Sequence, residues 1–393
     1  MGAITITNGR VLRGGRLLRE ALYLRHGLVQ ERPLPGAEQL DARGALVLPG
    51  IVDVHGDAFE RQIMPRPGVA FDLSLALLDT DRQLLANGIT TAYHALSVSW
   101  EPGLRSLEMA GRFVAALRAI RPRLGVDTRL HLRWETFVPE AIEPVATWLA
   151  EEAAPILAFN DHTTGDAAKA AAEVTDGAGG TDGPGPAGGA KIARMAARAG
   201  LTEADYRAEL GRRWTARDRV EADKASMAEA AHAAGAALFA HDELTPAARQ
   251  SHRALGVHVS EFPMNRPTAE AARAAGEHTI LGAPNVLRGG SHNGALSARQ
   301  AVRGGFCTVL ASDYYYPALL QAPFRLAAED ILPVEAAWQL VSAHAAEAAG
   351  LGDRGALEPG LRADVILVDD RDPEMPTVQR TIVGGRKAGA FGE

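Results

Sequence analysis

The chain opens on period-two alternation. Ile4-Thr5-Ile6-Thr7 puts its apolar residues on one face, Asn8-Gly9 is a turn signal, and Arg10-Val11-Leu12 follows before Gly14-Gly15. Ala45-Leu46-Val47-Leu48-Pro49-Gly50 then runs into Ile51-Val52-Asp53-Val54, an apolar, β-branched run of the kind buried on both faces of a sheet. From there to about residue 350, apolar strand-like runs alternate with segments of helical period. The predicted strands are Ile51–Val54, Ile89–Ala95, Arg129–Trp134, Pro155–Asn160, Ala236–Ala240, Val257–Phe262, Thr279–Gly282 and Thr308–Ser312. Leu73–Ala86, Ser106–Ile120 and Ala222–Ala234 carry apolar positions at helical spacing, and Thr202-Glu203-Ala204-Asp205 reads as a capped N-terminus leading into a long charged helix.

Eight strands alternating with helices predict an α/β fold with a parallel sheet, and the count favours a closed (β/α)8 TIM-like barrel over an open doubly wound sheet. The tail returns to β character at Ala363–Asp369 and Arg380–Val383, the latter closed by Gly384-Gly385. Strands at both ends of the chain predict a small β-sandwich domain built from both termini, residues 1–50 and 355–393, flanking a barrel of residues 51–354. Between Asp176 and Gly189, seven of fourteen residues are glycine and two are proline. That composition predicts a mobile loop or linker.

Of 393 residues, 47% are hydrophobic and 23% charged, which excludes disorder. The net charge of −7 argues against a protein that coats nucleic acid, because phosphate neutralisation needs a basic surface. No run approaches 18 uninterrupted apolar residues, and the N-terminus lacks the apolar stretch of a signal peptide. The single cysteine, Cys307, fits a reducing compartment. The expectation is a cytoplasmic protein without membrane or nucleic-acid partners.

The chemistry gathers at strand ends: His55-Gly56-Asp57 after the first, Glu135 after the third, Asp161-His162 after the fourth, His241-Asp242 after the fifth and Asp313 after the eighth. In a (β/α)8 barrel these ends converge on one mouth. Residues i and i+2 on a strand face one side, so His55 and Asp57 can grip one ion. Imidazole and carboxylate suit Zn²⁺, Mn²⁺ or Fe²⁺, and a carboxylate such as Glu135 can bridge two ions. His94 and His131 lie within strands and read as core, and His232, His252, His258 and His278 as ordinary hydrogen-bonded residues. After the seventh strand, Asn285–Gly294 combines paired glycines with Arg288, Ser291 and His292, a composition shared by phosphate-binding loops and by plain turns. Arg61, Arg66, Arg133 and Arg325 are further candidate cationic contacts, and Tyr314, Tyr315 and Tyr316 candidate pocket walls.

Together these motifs resemble the amidohydrolase superfamily. The resemblance runs through the leader Leu48-Pro49-Gly50-Ile51-Val52-Asp53-Val54-His55 and the exit segment Gly355–Asp364. Within it, the chain is similar to the α-D-ribose 1-methylphosphonate 5-triphosphate diphosphatase family, in Met64-Pro65-Arg66-Pro67, Gly88-Ile89-Thr90-Thr91, His131-Leu132-Arg133, Asp161-His162, His241-Asp242, Gly282–Gly294 and Ser312-Asp313-Tyr314-Tyr315. The segment Thr163–Lys169 departs from that family's pattern. The resemblance implies one or two divalent metal ions held by His55, Asp57, Glu135, His162, His241 and Asp313, with Asp313 also the general base toward the attacking water. It implies a phosphorylated small-molecule substrate met by Arg288, Ser291, His292 and Tyr315, and release of pyrophosphate. A C–N-cleaving amidohydrolase acting on a cyclic amide or amidine is the alternative. Barrels of this type commonly dimerise, so a homodimer is a further expectation.

Overall fold

The eight predicted apolar runs all form strands of one parallel sheet in the computed structural model, which describes residues 2–168, 187–290 and 296–392. In chain order they are Ile51–Gly56, Ile89–Val98, Asp127–Glu135, Ile156–Asn160, Ala237–His241, Val259–Glu261, His278–Gly282 and Val309–Ala311. Each pairs in parallel with its predecessor. The ring closes at its rim, where the Asp313 amide donates to the His55 carbonyl at 2.9 Å and the Asp57 amide to the Asp313 carbonyl at 3.0 Å. Closure therefore falls on residues expected to carry chemistry. Helices cover the outside. Leu73–Ala86 is capped by Asp72, Leu107–Ile120 by Ser106 and Glu203–Trp214 by Thr202, each side chain accepting an otherwise orphaned backbone N–H.

The predicted sandwich also forms. One sheet holds Leu28–Gln30, Leu22–Arg25, Ile4–Thr7 and Glu38–Asp41; the other runs from Arg386–Ala390 through Thr377–Val383, Val365–Asp369 and Leu46–Pro49 to Arg10–Arg13 and Arg16–Leu18. Chain ends meet where Val365–Asp369 pairs antiparallel with Leu46–Pro49. Along these two strands, Val47, Val365 and Leu367 enter the sandwich core, while Leu46, Leu48, Ile366 and Val368 pack with barrel residues such as Leu84, Leu85 and Ile89. Both faces are thus buried, which is why the runs read as continuously apolar.

The glycine pair at 384–385 forms the expected turn after Thr377–Val383 and leads into a further strand, Arg386–Ala390. Two local readings need correction. The long charged helix after Thr202 is two helices, Glu203–Trp214 and Val220–Ala233, broken at the 3-10 turn Arg217–Arg219. Of the predicted loop 176–189, residues 176–186 lie outside the described residues, whereas 187–189 begin the helix Ala187–Ala199. Ile192 and Ala196 pack on Tyr206 and Leu210, and that burial offsets the roughly 1 kcal/mol helical penalty of each glycine.

Gly50 carries the chain from sandwich to barrel. A Cβ there would lie 2.2 Å from Thr90 Oγ1 and 2.4 Å from Thr90 Cγ2, on a side chain itself fully buried. Gly50→Ala is expected to destabilise the protein by about 1–3 kcal/mol through this overlap. Denaturant unfolding measures it, and an unchanged midpoint would show that Thr90 yields at no cost.

Among the described residues, no helix is long and apolar enough to cross a membrane.

Candidate active site

The rim is organised from beneath by Asp53, whose buried carboxylate accepts from the Ser312 hydroxyl at 2.5 Å, the Ser312 amide at 3.1 Å and the His55 amide at 3.3 Å. It ties the end of the first strand to that of the eighth. Burial pushes its carboxyl up to about 6 against those hydrogen bonds. Gly56 is required beside it, because a Cβ would stand 2.7 Å from Asp53 Oδ2 and 2.9 Å from Ser312 Oγ.

Glu261, at the end of the sixth strand and fully buried, takes both neighbouring imidazoles. His55 Nδ1 donates to Oε1 at 2.8 Å and His241 Nδ1 to Oε2 at 2.7 Å. With Nδ1 engaged on Glu261, Nε2 is the nitrogen that His55 has left to ligate. The two rings lie nearly parallel with centroids 5.4 Å apart. Burial, followed by the Arg133 charge, pushes the His55 imidazole down to about 3, and the same causes hold His241 well below the ordinary histidine range, so both are neutral. Burial pushes the Glu261 carboxyl up to about 7.

Arg133 enters from the third strand and is buried. Its Nη2 donates to His241 Nε2 at 2.8 Å, and Nη1 stands 3.8 Å from Asp57 Oδ2. Asp313 completes the near side, its carboxyl pushed up to about 7 by burial and then by the Asp57 charge. On the far side His162 Nε2 is 3.8 Å from Asp242 Oδ2 and Nδ1 3.3 Å from Glu135 Oε2. Burial alone would lower His162, but its bonds to Asp242 and Glu135 prevail and hold it up at about 9. Glu135 also accepts from the His162 and Thr163 amides at 3.1 and 3.2 Å and from the Thr163 hydroxyl at 2.9 Å, so it is anchored to the segment it faces.

A pocket opens on this rim, lined among others by His55, Asp57, Arg133, His241, Asp242 and Asp313, with Asn285, Phe262 and Leu281 as further wall. The structure therefore brings together His55, Asp57, His241 and Asp313. His162 joins His241 through Asp242, and Glu135 reaches the site through His162. The loop residues are placed otherwise. Arg288 is exposed and donates to the Tyr314 hydroxyl at 3.3 Å, and Tyr315 is 44% exposed; neither lines this pocket. Ser291 and His292 lie outside the described residues. Glu261 is the residue that the sequence reading missed. It falls inside the predicted strand Val257–Phe262, not after its end as the other acids do, and no histidine stands next to it. His131, read as core, is buried with Nδ1 donating to the Val54 carbonyl and Nε2 unpartnered, 3.8 Å from Glu261.

Among the described residues, three sets each bring three ligand atoms within 4.8 Å of one another: His55, Asp57 and Asp313; His162, His241 and Asp242; His55, His131 and Glu261. The first set fits a divalent cation by its chemistry. A carboxylate holds the imidazole through Nδ1 and fixes Nε2 as the ligating nitrogen, the arrangement that metal-binding histidines adopt. Glu261 supplies that support, and two acids complete the donors.

No family model matches the chain. It is 30% identical over 347 residues to the α-D-ribose 1-methylphosphonate 5-triphosphate diphosphatase of Escherichia coli (strain K12), covering 85% of this chain and 86% of that one. An adenine deaminase of Methylobacterium nodulans is 26% identical over 366 residues, 89% of this chain but 51% of the deaminase. Among solved structures, N-isopropylammelide isopropylaminohydrolase from Burkholderia multivorans superposes with a TM-score of 0.63 at 19% identity over the full length of both, a likeness of fold.

Proposed function

We propose, since the chain belongs to the α-D-ribose 1-methylphosphonate 5-triphosphate diphosphatase family, that it is a metal-dependent hydrolase releasing pyrophosphate from that compound or a related ribosyl triphosphate. The observation carrying this reading is the shared grip of Glu261 on His55 and His241, which leaves His55 Nε2 outside that bond, in one cluster of ligand atoms with Asp57 and Asp313 at the barrel mouth. His55, Asp57 and Asp313 would hold the cation. A divalent cation bound there supplies Lewis-acid polarisation of the phosphoryl oxygens and favours ionisation of water.

The rest is the work of side chains. Water oxygen forms a bond to the phosphorus nearest the ribose, the bridging P–O bond breaks, and pyrophosphate leaves with that electron pair. Asp313, raised toward neutrality, takes the water proton at its carboxylate and can return it to the departing oxygen. Arg133, buried at the pocket wall, sets a permanent positive charge against the oxygens that gain charge as the bond breaks. Neutral His55 and His241 keep the site from repelling a cation. The protein loaded with Mn²⁺ or Zn²⁺ is expected to release one pyrophosphate per substrate consumed, to lose that activity on chelation and to regain it on adding metal. No turnover by fully metallated protein would overturn the substrate assignment.

The likeness to adenine deaminases favours one other reading, hydrolysis of a C–N bond at the same site. Ammonia release from adenine, assayed in parallel, separates the two.

A further inference from the structure

We infer that Arg133 occupies the place of a second divalent cation, so that the site takes one ion and one guanidinium. The inference rests on the metal-hydrolase reading and concerns its stoichiometry. Two ligand sets put at least two residues each on the pocket wall, His55/Asp57/Asp313 and, through His241 and Asp242, His162/His241/Asp242, and they are the two places where a pair of ions would sit. Only in the second is a guanidinium hydrogen-bonded to a ligating imidazole.

In the second, the Nε2 lone pair of His241 is already taken. Its Nδ1–H donates to Glu261, so Nε2 is an acceptor, and Arg133 Nη2 donates into it at 2.8 Å. An ion and a guanidinium cannot share one lone pair. The third member, Asp242, stands 3.8 Å from His162 Nε2 and 3.6 Å from His241 Nε2, so His162 is itself paired between Asp242 and Glu135. Arg133 also spans the sets, its Nη1 3.8 Å from Asp57 Oδ2, where a bridging charge would be needed. The residue is buried on the third strand, Asp127–Glu135. A guanidinium cannot lose its charge at neutral pH, and its planar donors suit phosphoryl oxygens. One mobile ion with one fixed cation thus gives the two-point clamp that two ions give elsewhere.

The test counts ions without reading activity. Purified wild-type protein equilibrated with excess Mn²⁺ is expected to hold one ion per chain by equilibrium dialysis and elemental analysis, with an uncoupled six-line electron paramagnetic resonance spectrum. Arg133→Met removes the charge at similar length and is expected to hold two ions, with exchange-coupled signals. Arg133→Lys, which keeps a charge, should stay at one. Two ions in wild type overturn the inference whatever the variants do, as does an Arg133→Met protein that folds, by circular dichroism, and still binds one. Absence of any ion from wild type would sink the metal-hydrolase reading itself, a result distinct from two ions. Failure of pyrophosphate release with one ion bound would sink the substrate and leave this inference standing.

Discussion

Asp313→Asn is expected to lower kcat for pyrophosphate release about 10²–10⁴-fold, the range for losing a positioned acid–base group, while KM changes little. Asparagine is nearly isosteric with aspartate and does not accept a proton at this pH. The fold should survive the change for two reasons. The contacts that close the barrel here are made by the backbone of residue 313, which donates to the His55 carbonyl and accepts from the Asp57 amide. The residue also sits in the left-handed region with φ +54°, a conformation that asparagine and aspartate tolerate better than most side chains. Rates should be read per bound ion, because the same carboxylate is expected to ligate. A per-ion kcat within threefold of wild type would remove Asp313 from proton transfer.

Arg249→Leu should have the largest effect on stability. Arg249 is fully buried, and its guanidinium donates to Glu243 Oε2 at 3.1 Å and to the Val257 and Val259 carbonyls at 2.6 and 3.2 Å, with Nε 3.3 Å from Glu277. Glu243 in turn accepts from the Ser260 hydroxyl at 2.5 Å and from His252 at 2.8 Å. Removing one partner of a buried ion pair leaves the other charge desolvated, which costs about 3–5 kcal/mol. The thermal midpoint is expected to fall by several degrees. Arg253→Ala, on the half-exposed partner of Glu277, is expected to cost about 1 kcal/mol or less. Equal losses in the two variants would show that burial of Arg249 does not set the penalty. Metal affinity should fall along with stability, because Glu243 follows His241 by two residues and Ser260 precedes Glu261.

What could be read from sequence and what could not follow from the same distinction. Barrel strands were legible because burial on both faces leaves a local mark, as at Ile51–Val54 or Thr308–Ser312. His55, Asp57, His241 and Asp313 were legible because parallel strands end at one rim, so a residue's place along its own strand locates it in space. Glu261 was not, because its role depends on register between strands. It lies directly opposite His241 in the pairing of the fifth and sixth strands, and no local pattern encodes that. Arg133 was visible only as one arginine among several, since its distinction is a contact with a residue from a different strand. The loop after the seventh strand is legible only in part. Its composition suits phosphate-binding loops and plain turns alike; the short helix Ala283–Arg288 carries Arg288 to Tyr314, and Ser291 and His292 lie outside the described residues.

The antiparallel pairing of Leu46–Pro49 with Val365–Asp369 has a consequence for how the chain assembles. The entire barrel lies between these partners in sequence, so closing that contact costs the loop entropy of nearly the whole polypeptide unless the barrel has already folded and shortened the gap. On the ribosome, Leu46–Pro49 emerges early and waits with one edge unsatisfied until its neighbour is made. The pairing thus acts as a clasp between the two ends of the chain, directly before the first barrel strand.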